Sequence, residues 1–465
     1  MSRQIVENVA ELLKNVDNLV WGPGMLALLL GTGIYLMIRM HFLPLRNLGY
    51  AIRCLFQKEE GNGQEGEISA LASLTTELAA TIGTGNIVGV ATAMVMGGPG
   101  ALIWMILSAL IGLSTKFAES MLAVKYRAKN EAGTVTGGPM YTLQSAFPNK
   151  KAGSILGMLF ALFAVLSSFG MGNMAQSNSI TLALAESFDI PQEKSGLVIT
   201  ILVILVILGG IRSISKITLY MVPCMALFYI IGALAVIIAN PGGLAEGIKE
   251  IIAMAFSTRA MAGGVSGAIV ASMQDALRLG VSRGVFSNEA GLGAAGISAA
   301  AANTASPVRQ GYISMTGIFF DTIIICTLTG LALAASGVLG MTDENGALLT
   351  GAALTIEAFS TVFGEFGGSF VSIGIVLFAF ATIIAWEYQG ERAFEFLTHK
   401  PCFNVWYRLV YTLITFVGSV CALEPVWSFS DIMNALMAIP NLIGIMALSG
   451  EVCSEMRAYE DTKKR

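Results

Sequence analysis

Four polar side chains recur at helical spacing inside an apolar stretch near the start of the chain. They are Ser73, Glu77, Thr81 and Thr84, separated by four, four and three residues. On one helix this spacing makes a single polar stripe, and a polar stripe on an apolar helix must face protein rather than lipid. The stripe ends in the run Gly83-Thr84-Gly85-Asn86, where the two glycines permit the helix to unwind.

Unwinding at this point would release backbone groups that a continuous helix keeps bonded. The carbonyl oxygens of residues 79–82 and the side-chain oxygen of Asn86 suit a hard cation such as sodium. The amides of residues 85–87, at the start of the resumed helix, suit the carboxylate of a substrate. The pattern therefore predicts a solute site, and close packing of glycine and threonine between helices is the alternative interpretation.

Glu77 carries the one charge between Ile68 and Thr115. A carboxylate at membrane depth is costly and is normally paired or functional. Three roles are open for it: a counter-ion for a substrate amine, a proton-coupling group, or the acceptor of a structural hydrogen bond.

A second glycine-rich run lies in the later half of the chain. It holds Gly280, Gly284, Gly291 and Gly293 within fourteen residues. That density precludes a regular helix. Ser287, Asn288 and Glu289 lie within this run and offer oxygens for a ligand or bonds for a gate. We expect Arg283 and Glu289 to form a salt bridge at the inner side, and interpret all four polar residues as gating or structural.

Three further helices carry candidate residues. Gln176 is one of several amide side chains in the fourth apolar stretch, where contact with a substrate and bonding between helices are both open. Trp386 follows Thr382 by one turn on a charge-free helix, so the indole can cover a small solute and the hydroxyl can contact a cation. An interfacial tryptophan is the alternative. Asp321 is a further buried-acid candidate.

The composition is that of a polytopic membrane protein. The chain has 465 residues, of which 55% are hydrophobic and 12% are charged, whereas soluble domains are about one quarter charged. At about 20 residues per crossing plus loops, the length allows about ten to twelve spans. The six cysteines show no metal-ligand spacing, and the sequence has no catalytic motif or phosphate loop and no basic aromatic patch. We therefore expect no enzyme activity, no cofactor and no nucleic-acid partner.

Apolar stretches between charged or Gly/Pro-marked loops predict eleven membrane-spanning helices. They cover residues 19–38, 68–96, 101–124, 154–185, 197–211, 217–238, 263–302, 311–339, 370–388, 409–423 and 432–448. The first is interpreted as peripheral, and the other ten divide into two sets of five. An amphipathic segment at 241–259 is predicted to be an outer surface helix, with an ordinary loop as the alternative.

Basic residues fall on one side of this arrangement. The segment 116–151 holds six Lys and Arg, the tail after residue 450 holds four, and Arg283 and Arg309 are placed together at the end of span seven. The positive-inside rule then puts the N-terminus outside and the C-terminus in the cytoplasm, with the protein in the plasma membrane.

Each set of five spans begins with a glycine-broken helix. Interrupted helices at matching places in two halves are typical of inverted repeats with a site at the bilayer midplane. We therefore predict an all-α integral membrane fold with a 5+5 inverted-repeat core whose first and sixth core helices are broken. The predicted parts are an N-terminal helix and loop at 1–67, repeats at 68–245 and 246–450, and a cytoplasmic tail at 451–465.

Several long motifs, in this order, resemble the sodium:alanine symporter family, also called alanine or glycine:cation symporters. They are AATIGTGNIVGVATA at 79–93, GGPGA at 97–101, GGPMY at 137–141, RGVFSNEAG at 283–291, and Asp321-Thr322 followed by Cys326-Thr327. The resemblance implies a fold similar to that of the amino acid-polyamine-organocation transporters. It also implies inward co-transport of a small neutral amino acid, alanine or glycine, with sodium as co-substrate and the only metal.

The resemblance also implies site residues. It carries the substrate role to Thr84, Gly85, Asn86, Gln176 and Trp386, and the sodium role to Ala79, Ile82 and Thr382. We expect Glu77 to contribute to the substrate site and the protein to act as a monomer in the bilayer. Proton coupling through Glu77, or a larger neutral substrate such as glutamine, stays open, because Glu77 stands where many members have a small residue.

Overall fold

A computed structural model describes residues 2–57, 66–131, 133–257, 260–262, 269–421 and 424–463. Over these residues the chain is almost entirely helical. In chain order the helices are α1 (Ser2–Val20), α2 (Pro23–Arg39), α3 (Leu43–Arg46), α4 (Leu48–Phe56), α5 (Ala70–Thr81), α6 (Val88–Met96), α7 (Ala101–Lys125), α8 (Pro139–Ala146), α9 (Lys150–Phe169), α10 (Ala175–Phe188), α11 (Gln192–Ile207), α12 (Gly210–Ala239), α13 (Pro241–Ala255), α14 (Met273–Asn288), α15 (Ala294–Ala300), α16 (Pro307–Ile318), α17 (Thr327–Ser336), α18 (Gly351–Phe363), α19 (Phe366–Thr398), α20 (Asn404–Val420), α21 (Glu424–Ala447) and α22 (Ser449–Lys463). Two short antiparallel hairpins pair β1 (Ala128–Lys129) with β2 (Val135–Thr136) and β3 (Ala260–Ala262) with β4 (Ile269–Ala271).

The predicted apolar stretches coincide with helices. Seven continuous helical segments within the described ranges are long and apolar enough to cross a bilayer. Two other predicted spans are interrupted helices, and α11 and α20, with 16 and 17 residues, are close to the lower limit for crossing the hydrocarbon core. The all-α architecture is thus confirmed, and the count of eleven spans stays a prediction.

The first predicted break is present. Ser69 caps α5 by accepting a hydrogen bond from the backbone at 3.2 Å, and the helix ends at Thr81. The next two residues leave the helical conformation, a single 3-10 turn follows at Thr84–Asn86, and α6 begins at Val88. Gly83 is in the extended region, so the chain changes direction before the helix resumes.

The second break lies between α14 and α15. Its backbone includes Glu289, Gly291 and Gly293, with φ of 56°, 89° and 89°. Glycine adopts these left-handed values without a steric penalty, which explains the glycine density of this run. The helix before the break begins at Met273 rather than near 263, and residues 263–268 lie outside the described residues.

Two long helices contain a π-turn beside a candidate residue. The turn at Gly170–Met174 separates α9 from α10 and ends two residues before Gln176, and the turn at Phe319–Cys326 separates α16 from α17 and contains Asp321. Such turns are frequent at functional sites, because an extra residue per turn redirects the following side chains.

Lys116 and Arg283 do not lie where the charge pattern placed them. Lys116 belongs to α7 and is 1% exposed, so it is not a loop residue. Arg283 lies in α14 before the second break and Arg309 lies in α16 after it, so the two do not mark the same end of span seven. The charge pattern misled here because a count of Lys and Arg does not separate loop charges from buried, paired ones.

The amphipathic segment at 241–259 forms helix α13. Ile251 and Met254 are buried, whereas Ile248 and Ile252 on other faces are exposed. The helix is therefore confirmed and the loop alternative is wrong, while its placement at the outer surface stays a prediction. Arg259 lies outside the described residues.

The C-terminal helix α22 packs against α7 and α16. Glu451 forms a salt bridge with Lys125 at 2.5 Å and accepts a hydrogen bond from Tyr126 at 2.6 Å. Burial acts to raise the pKa of Glu451, but these two bonds outweigh it and the pKa is lowered. Farther along the helix, Glu460 accepts a hydrogen bond from Tyr312 at 2.9 Å. The tail is thus a docked helix up to Lys463.

We expect Gly243→Ala to destabilise the protein and Gly242→Ala to leave its stability unchanged. A Cβ at Gly243 would lie 2.1 Å from the carbonyl oxygen of Ala335 on α17, whereas one at Gly242 meets nothing within 4 Å. Overpacking of this kind costs about 1–3 kcal/mol, so the apparent melting temperature in detergent should fall for the first variant alone. Equal melting temperatures for the two variants would contradict this close approach of α13 to α17.

Candidate solute-binding site

The first break is closed by its own side chains and by Gln176. The backbone N–H of Gly83 donates to Asn86 Oδ1 at 2.9 Å, and the N–H of Thr84 donates to Gln176 Oε1 at 3.4 Å. Gln176 donates in turn to the carbonyl oxygen of Met171 in the π-turn, at 3.1 Å. Thr84, Asn86 and Gln176 are thus brought together, and each is at most 1% exposed.

Helix α19 supplies a hydroxyl to the same break. Thr382 Oγ1 donates at 3.1 Å to the carbonyl oxygen of Ala79 and lies at the same distance from that of Phe378. A Cβ on Gly83 would lie 2.7 Å from Thr382 Oγ1, so a larger residue at this position would disturb the contact. Two of the residues predicted to bind sodium, Ala79 and Thr382, are therefore adjacent. The third, Ile82, is the residue at which α5 ends.

Asp321 connects the two breaks. Its Oδ1 accepts a hydrogen bond from Asn86 Nδ2 at 2.8 Å, and its Oδ2 accepts bonds from Ser287 at 2.9 Å and Thr322 at 2.7 Å. Asn288 Nδ2 donates to Thr322 Oγ1 at 3.0 Å and extends the network. Donors from separate elements thus converge on one buried carboxylate, and hydrogen bonds to an ionised acceptor are strong.

Trp386 closes the second break. Its indole Nε1 donates to Glu289 Oε1 at 2.9 Å. Its Cβ lies against Gly172, where an added Cβ would be 2.4 Å away, so only glycine fits the π-turn at this point. Trp386 is fully buried, and the alternative of an interfacial tryptophan is wrong.

Arg283 has a different partner from the one predicted. It forms a salt bridge with Asp431 of α21 at 2.8 Å, and its guanidinium lies 5.4 Å from the centre of the Phe286 ring. The predicted salt bridge with Glu289 is wrong. The two residues are six positions apart, which puts them on different faces of a helix.

Glu77 lies in α5, one turn before that helix ends at the first break. Its Oε1 accepts hydrogen bonds from Ser314 at 2.9 Å and from Ser73 at 3.3 Å. Its Oε2 has no hydrogen-bond partner among the residues that the structure describes, and the side chain is 1% exposed. The role of a structural acceptor therefore has identified partners, whereas the other two roles require a group that binds at Oε2.

A buried lysine, Lys116, and its neighbours also belong to the site, although they were not among the predicted site residues. Lys116 Nζ donates to the carbonyl oxygen of Asn288, the last residue of α14, at 3.1 Å. A cation at a helix C-terminus bonds an otherwise free carbonyl and complements the helix dipole. Glu119, in the next turn of α7, accepts a hydrogen bond from Asn441 at 3.1 Å. The available signal was two charges three residues apart in a predicted span, a spacing that puts both on one helix face.

Two interrupted helices thus meet at one buried, oxygen-rich point of an all-helical apolar protein. No cluster of three or more His, Cys, Asp or Glu side chains that could hold a metal occurs within the ranges described above. Hydroxyls, carbonyls and amides come together where the two helices are broken. This arrangement is characteristic of secondary transporters.

Comparison with known proteins gives the family. The family model described as "Sodium:alanine symporter family" matches residues 6–465 of this chain. The chain is 46% identical to the sodium/alanine symporter AgcS of Methanococcus maripaludis, over 97% of this chain and 98% of that protein. It is 35% identical to the probable sodium/glutamine symporter GlnT of Bacillus subtilis, over 99% and 92% of the two chains. The chain therefore belongs to the sodium:alanine symporter family, which confirms the resemblance inferred from its motifs.

Solved structures agree at the level of fold. The crystal structure of MhsT in complex with L-phenylalanine superposes with a TM-score of 0.60 at 13% identity, covering 83% of this chain and 90% of that one. A mutant of the Eremococcus coleocola manganese transporter gives a TM-score of 0.53 at 14% identity, over 84% and 81%. At such identities the likeness concerns the fold alone.

We expect Asp321→Asn to destabilise the protein and Asp189→Asn, a surface control, to be nearly neutral. The amide of D321N replaces an acceptor oxygen with a donor, so at least one of the groups that donate to Asp321 loses its acceptor. An unpaired buried donor costs about 1–3 kcal/mol. Asp189 is exposed and ends α10 in a left-handed conformation that asparagine adopts readily. If D321N in detergent melts at the wild-type temperature, this network does not hold the two breaks together.

Proposed function

We propose that the protein is a sodium-coupled symporter that imports a small neutral amino acid, alanine or glycine, by alternating access. The observation that carries the proposal is the 3.1 Å separation of Thr382 Oγ1 and the Ala79 carbonyl oxygen at the first break. Hard cations prefer oxygen ligands of these kinds. The carbonyl of Ile82, at the end of α5, is the third proposed ligand. Membership of the family supports sodium as the ion.

We place the substrate between Thr84, Gly85, Asn86, Gln176 and Trp386. The hydroxyl of Thr84 is buried and has no partner in the described part of the chain, so it can donate to a substrate carboxylate. The N–H groups of Asn86 and Ile87 donate to the carbonyl oxygens of Gly83 and Thr84, so the backbone donor proposed for the same carboxylate is the N–H of Gly85. Trp386 is held in place by Glu289, and a Cβ on Gly83 would lie only 2.7 Å from Thr382 Oγ1. Such tight surroundings favour a small side chain.

Coupling follows from the shared use of the first break. Sodium bound to Ala79 and Thr382 would tie α5 to α19 and hold the amides of the break toward the amino acid. Two ligands that stabilise the same conformation increase each other's affinity by the same factor. Entry of one charge gains about 2.3 kcal/mol per 100 mV of membrane potential, equivalent to a nearly fiftyfold gradient. Without sodium the amino-acid site should be loose.

The proposed gate is built on the second break. Arg283, paired with Asp431, links α14 to α21, while Ser287 links α14 to Asp321. Asn288 bonds Thr322, and Glu289 holds Trp386. We propose that these four residues of α14 and the break, at 283 and 287–289, are gating or structural, since each ties the moving half-helix to a neighbour.

The proposed frame is a 5+5 inverted repeat, with repeats at 68–245 and 246–450, an N-terminal part at 1–67 and a tail at 451–465. The two interrupted helices, α5–α6 and α14–α15, are each first in their set of five, which supports this division. We propose that the functional unit is a monomer in the plasma membrane, with the N-terminus outside and the C-terminus in the cytoplasm.

A second candidate is proton coupling through Glu77, or a substrate contact at the same residue. The buried Oε2 of Glu77 favours these roles. It has no hydrogen-bond partner among the described residues, so it can accept a proton or a hydrogen bond from a substrate amine. For the substrate, the relative described as a probable sodium/glutamine symporter supports a larger neutral amino acid as the alternative.

Uptake by the protein in proteoliposomes separates these candidates. Labelled alanine, glycine and glutamine are offered with an inward sodium gradient, and again with sodium replaced by potassium or choline. We expect alanine or glycine to accumulate only with sodium. Uptake that ignores sodium and collapses with a proton uncoupler would overturn the sodium proposal, and Glu77→Gln should then flatten its pH dependence.

We expect Thr382→Val to raise the sodium concentration for half-maximal uptake at least tenfold, which is a loss of about 1.4 kcal/mol. The substitution keeps the shape of the side chain and removes the hydroxyl proposed to bind sodium. Thr398→Val is the matched control, since Thr398 lies on the same helix and bonds only carbonyls of that helix among the described residues. An unchanged sodium dependence in T382V would remove Thr382 from the sodium site.

A further inference from the structure

A small cavity with a few polar groups in its wall lies beside the second break. Glu119 of α7, Thr142 of α8 and Asn441 of α21 supply its polar lining, and Leu122, Leu143 and Ile445 supply apolar walls. These residues come from elements other than those that hold the proposed substrate and sodium. The space is enough for about one water molecule.

Glu119 and Asn441 hold the backbone of the break. Asn441 Nδ2 donates to Glu119 Oε2 at 3.1 Å and to the carbonyl oxygen of Gly291 at 2.9 Å. Gly291 has φ of 89° and belongs to no helix, so this carbonyl has no intrahelical donor. Pro440 precedes Asn441 inside α21, and a proline interrupts helical bonding and bends a helix. The break is thereby fixed from outside by a carboxylate and an amide.

Helix α8 contacts the same break. A Cβ on Gly293 would lie 2.7 Å from the ring of Pro139, the first residue of α8, and 2.9 Å from the side chain of Asn441. The short helix α8, which is not one of the long apolar segments, therefore packs directly on the second break. Thr142 lies one turn into α8.

Two polar atoms at the cavity lack protein partners. Glu119 Oε1 and Thr142 Oγ1 make no hydrogen bond with any residue that the structure describes, and their side chains are only 2% and 5% exposed. A buried polar atom that makes no hydrogen bond destabilises the folded protein. A molecule that donates to the carboxylate oxygen and also bonds the hydroxyl would remove both costs.

We propose that the cavity holds one ordered water molecule that joins Glu119 to Thr142, and that Glu119 and Asn441 are positioning residues for the second break. Water fits better than sodium, because two free oxygens fall well short of the six or so that a hard cation takes. The water-bridged set links the break to α7, α8 and α21.

The effect on ligand affinity rests on the proposed function, whereas the occupant of the cavity and the order of the break do not. Glu119→Ala and Asn441→Ala each remove the hydrogen bond between Glu119 and Asn441. Glu119→Gln keeps an oxygen that can accept this bond. Glu246→Ala, at an exposed residue, is the control. Amide hydrogen exchange over residues 289–296 reports the order of the break. Binding of labelled alanine to purified protein at varied sodium reports the site.

In E119A and N441A we expect exchange over this segment to be at least tenfold faster and half-saturating alanine and sodium concentrations to rise at least tenfold. E119Q should stay within about threefold of wild type, because positioning needs the bond and not the charge. Unchanged exchange in both alanine variants would overturn the positioning role, and so would E119Q that is as defective as E119A. If wild-type protein binds no alanine with sodium, the proposed function fails, and the exchange result still decides this inference.

A density map that resolves water tests the occupant. We expect one water within about 3 Å of Glu119 Oε1 and Thr142 Oγ1, retained in Thr142→Ser and lost in Thr142→Val. A bound cation in the cavity, or no density there in wild-type protein, would overturn the water bridge. Because T142V keeps the shape of the side chain, we expect this variant to fold. Its density map therefore still tests the water bridge if N441A does not fold.

Discussion

The structure depends on one constraint: peptide groups released by a broken helix inside lipid must be bonded by something else. At the first break the side chain of Asn86 accepts from Gly83, and Gln176 accepts from Thr84. At the second break Lys116 donates to the carbonyl of Asn288, and Asn441 donates to that of Gly291. In both places the bonds come from side chains of the break itself or of helices packed around it. The breaks exist because the surrounding helices supply those partners.

The same bonds explain why the two breaks act on each other. Asp321 accepts hydrogen bonds from Asn86 at the first break and from Ser287 just before the second. A change in the position of one half-helix therefore costs bonds at the other. Because Thr382 and Trp386 stand one turn apart on α19 and contact different breaks, this helix forms a rigid link between the proposed ion and substrate positions. Coupling of two ligands requires such a shared element.

Much of the fold and site follows from local sequence. The glycine-rich runs at 79–93 and 283–291 locate both breaks. Glycine density and the interruption of an apolar stretch can both be read from neighbouring residues in the sequence. The assembly of Thr84, Asn86 and Gln176 was also predicted, though through a family resemblance rather than from spacing. What local pattern does not contain is the choice of partner. Arg283 pairs with Asp431, 148 residues away along the chain, and this distant partner displaced the nearby Glu289 that sequence proximity suggested.

Lys116 shows the same limit from the other direction. The tally of Lys and Arg counted it as a loop charge although the predicted span 101–124 contains it, and helix α7 does continue past it to Lys125. Its burial is compatible with the membrane because the carbonyl oxygen of Asn288 accepts a hydrogen bond from its ammonium group and Glu119 lies on the same helix face. The second charge three residues away was the sign that both residues lie on one face of this helix.

Equilibrium binding tests most directly whether the first break holds sodium and the amino acid together. Binding of labelled alanine to purified protein is measured over a range of sodium concentrations, and sodium binding is measured over a range of alanine concentrations. If the first break holds both ligands, sodium should lower the Kd for alanine, alanine should lower the Kd for sodium by the same factor, and potassium should do neither. A Kd for alanine that does not change with sodium would contradict the account, because it would separate the ion from the break that forms the amino-acid site.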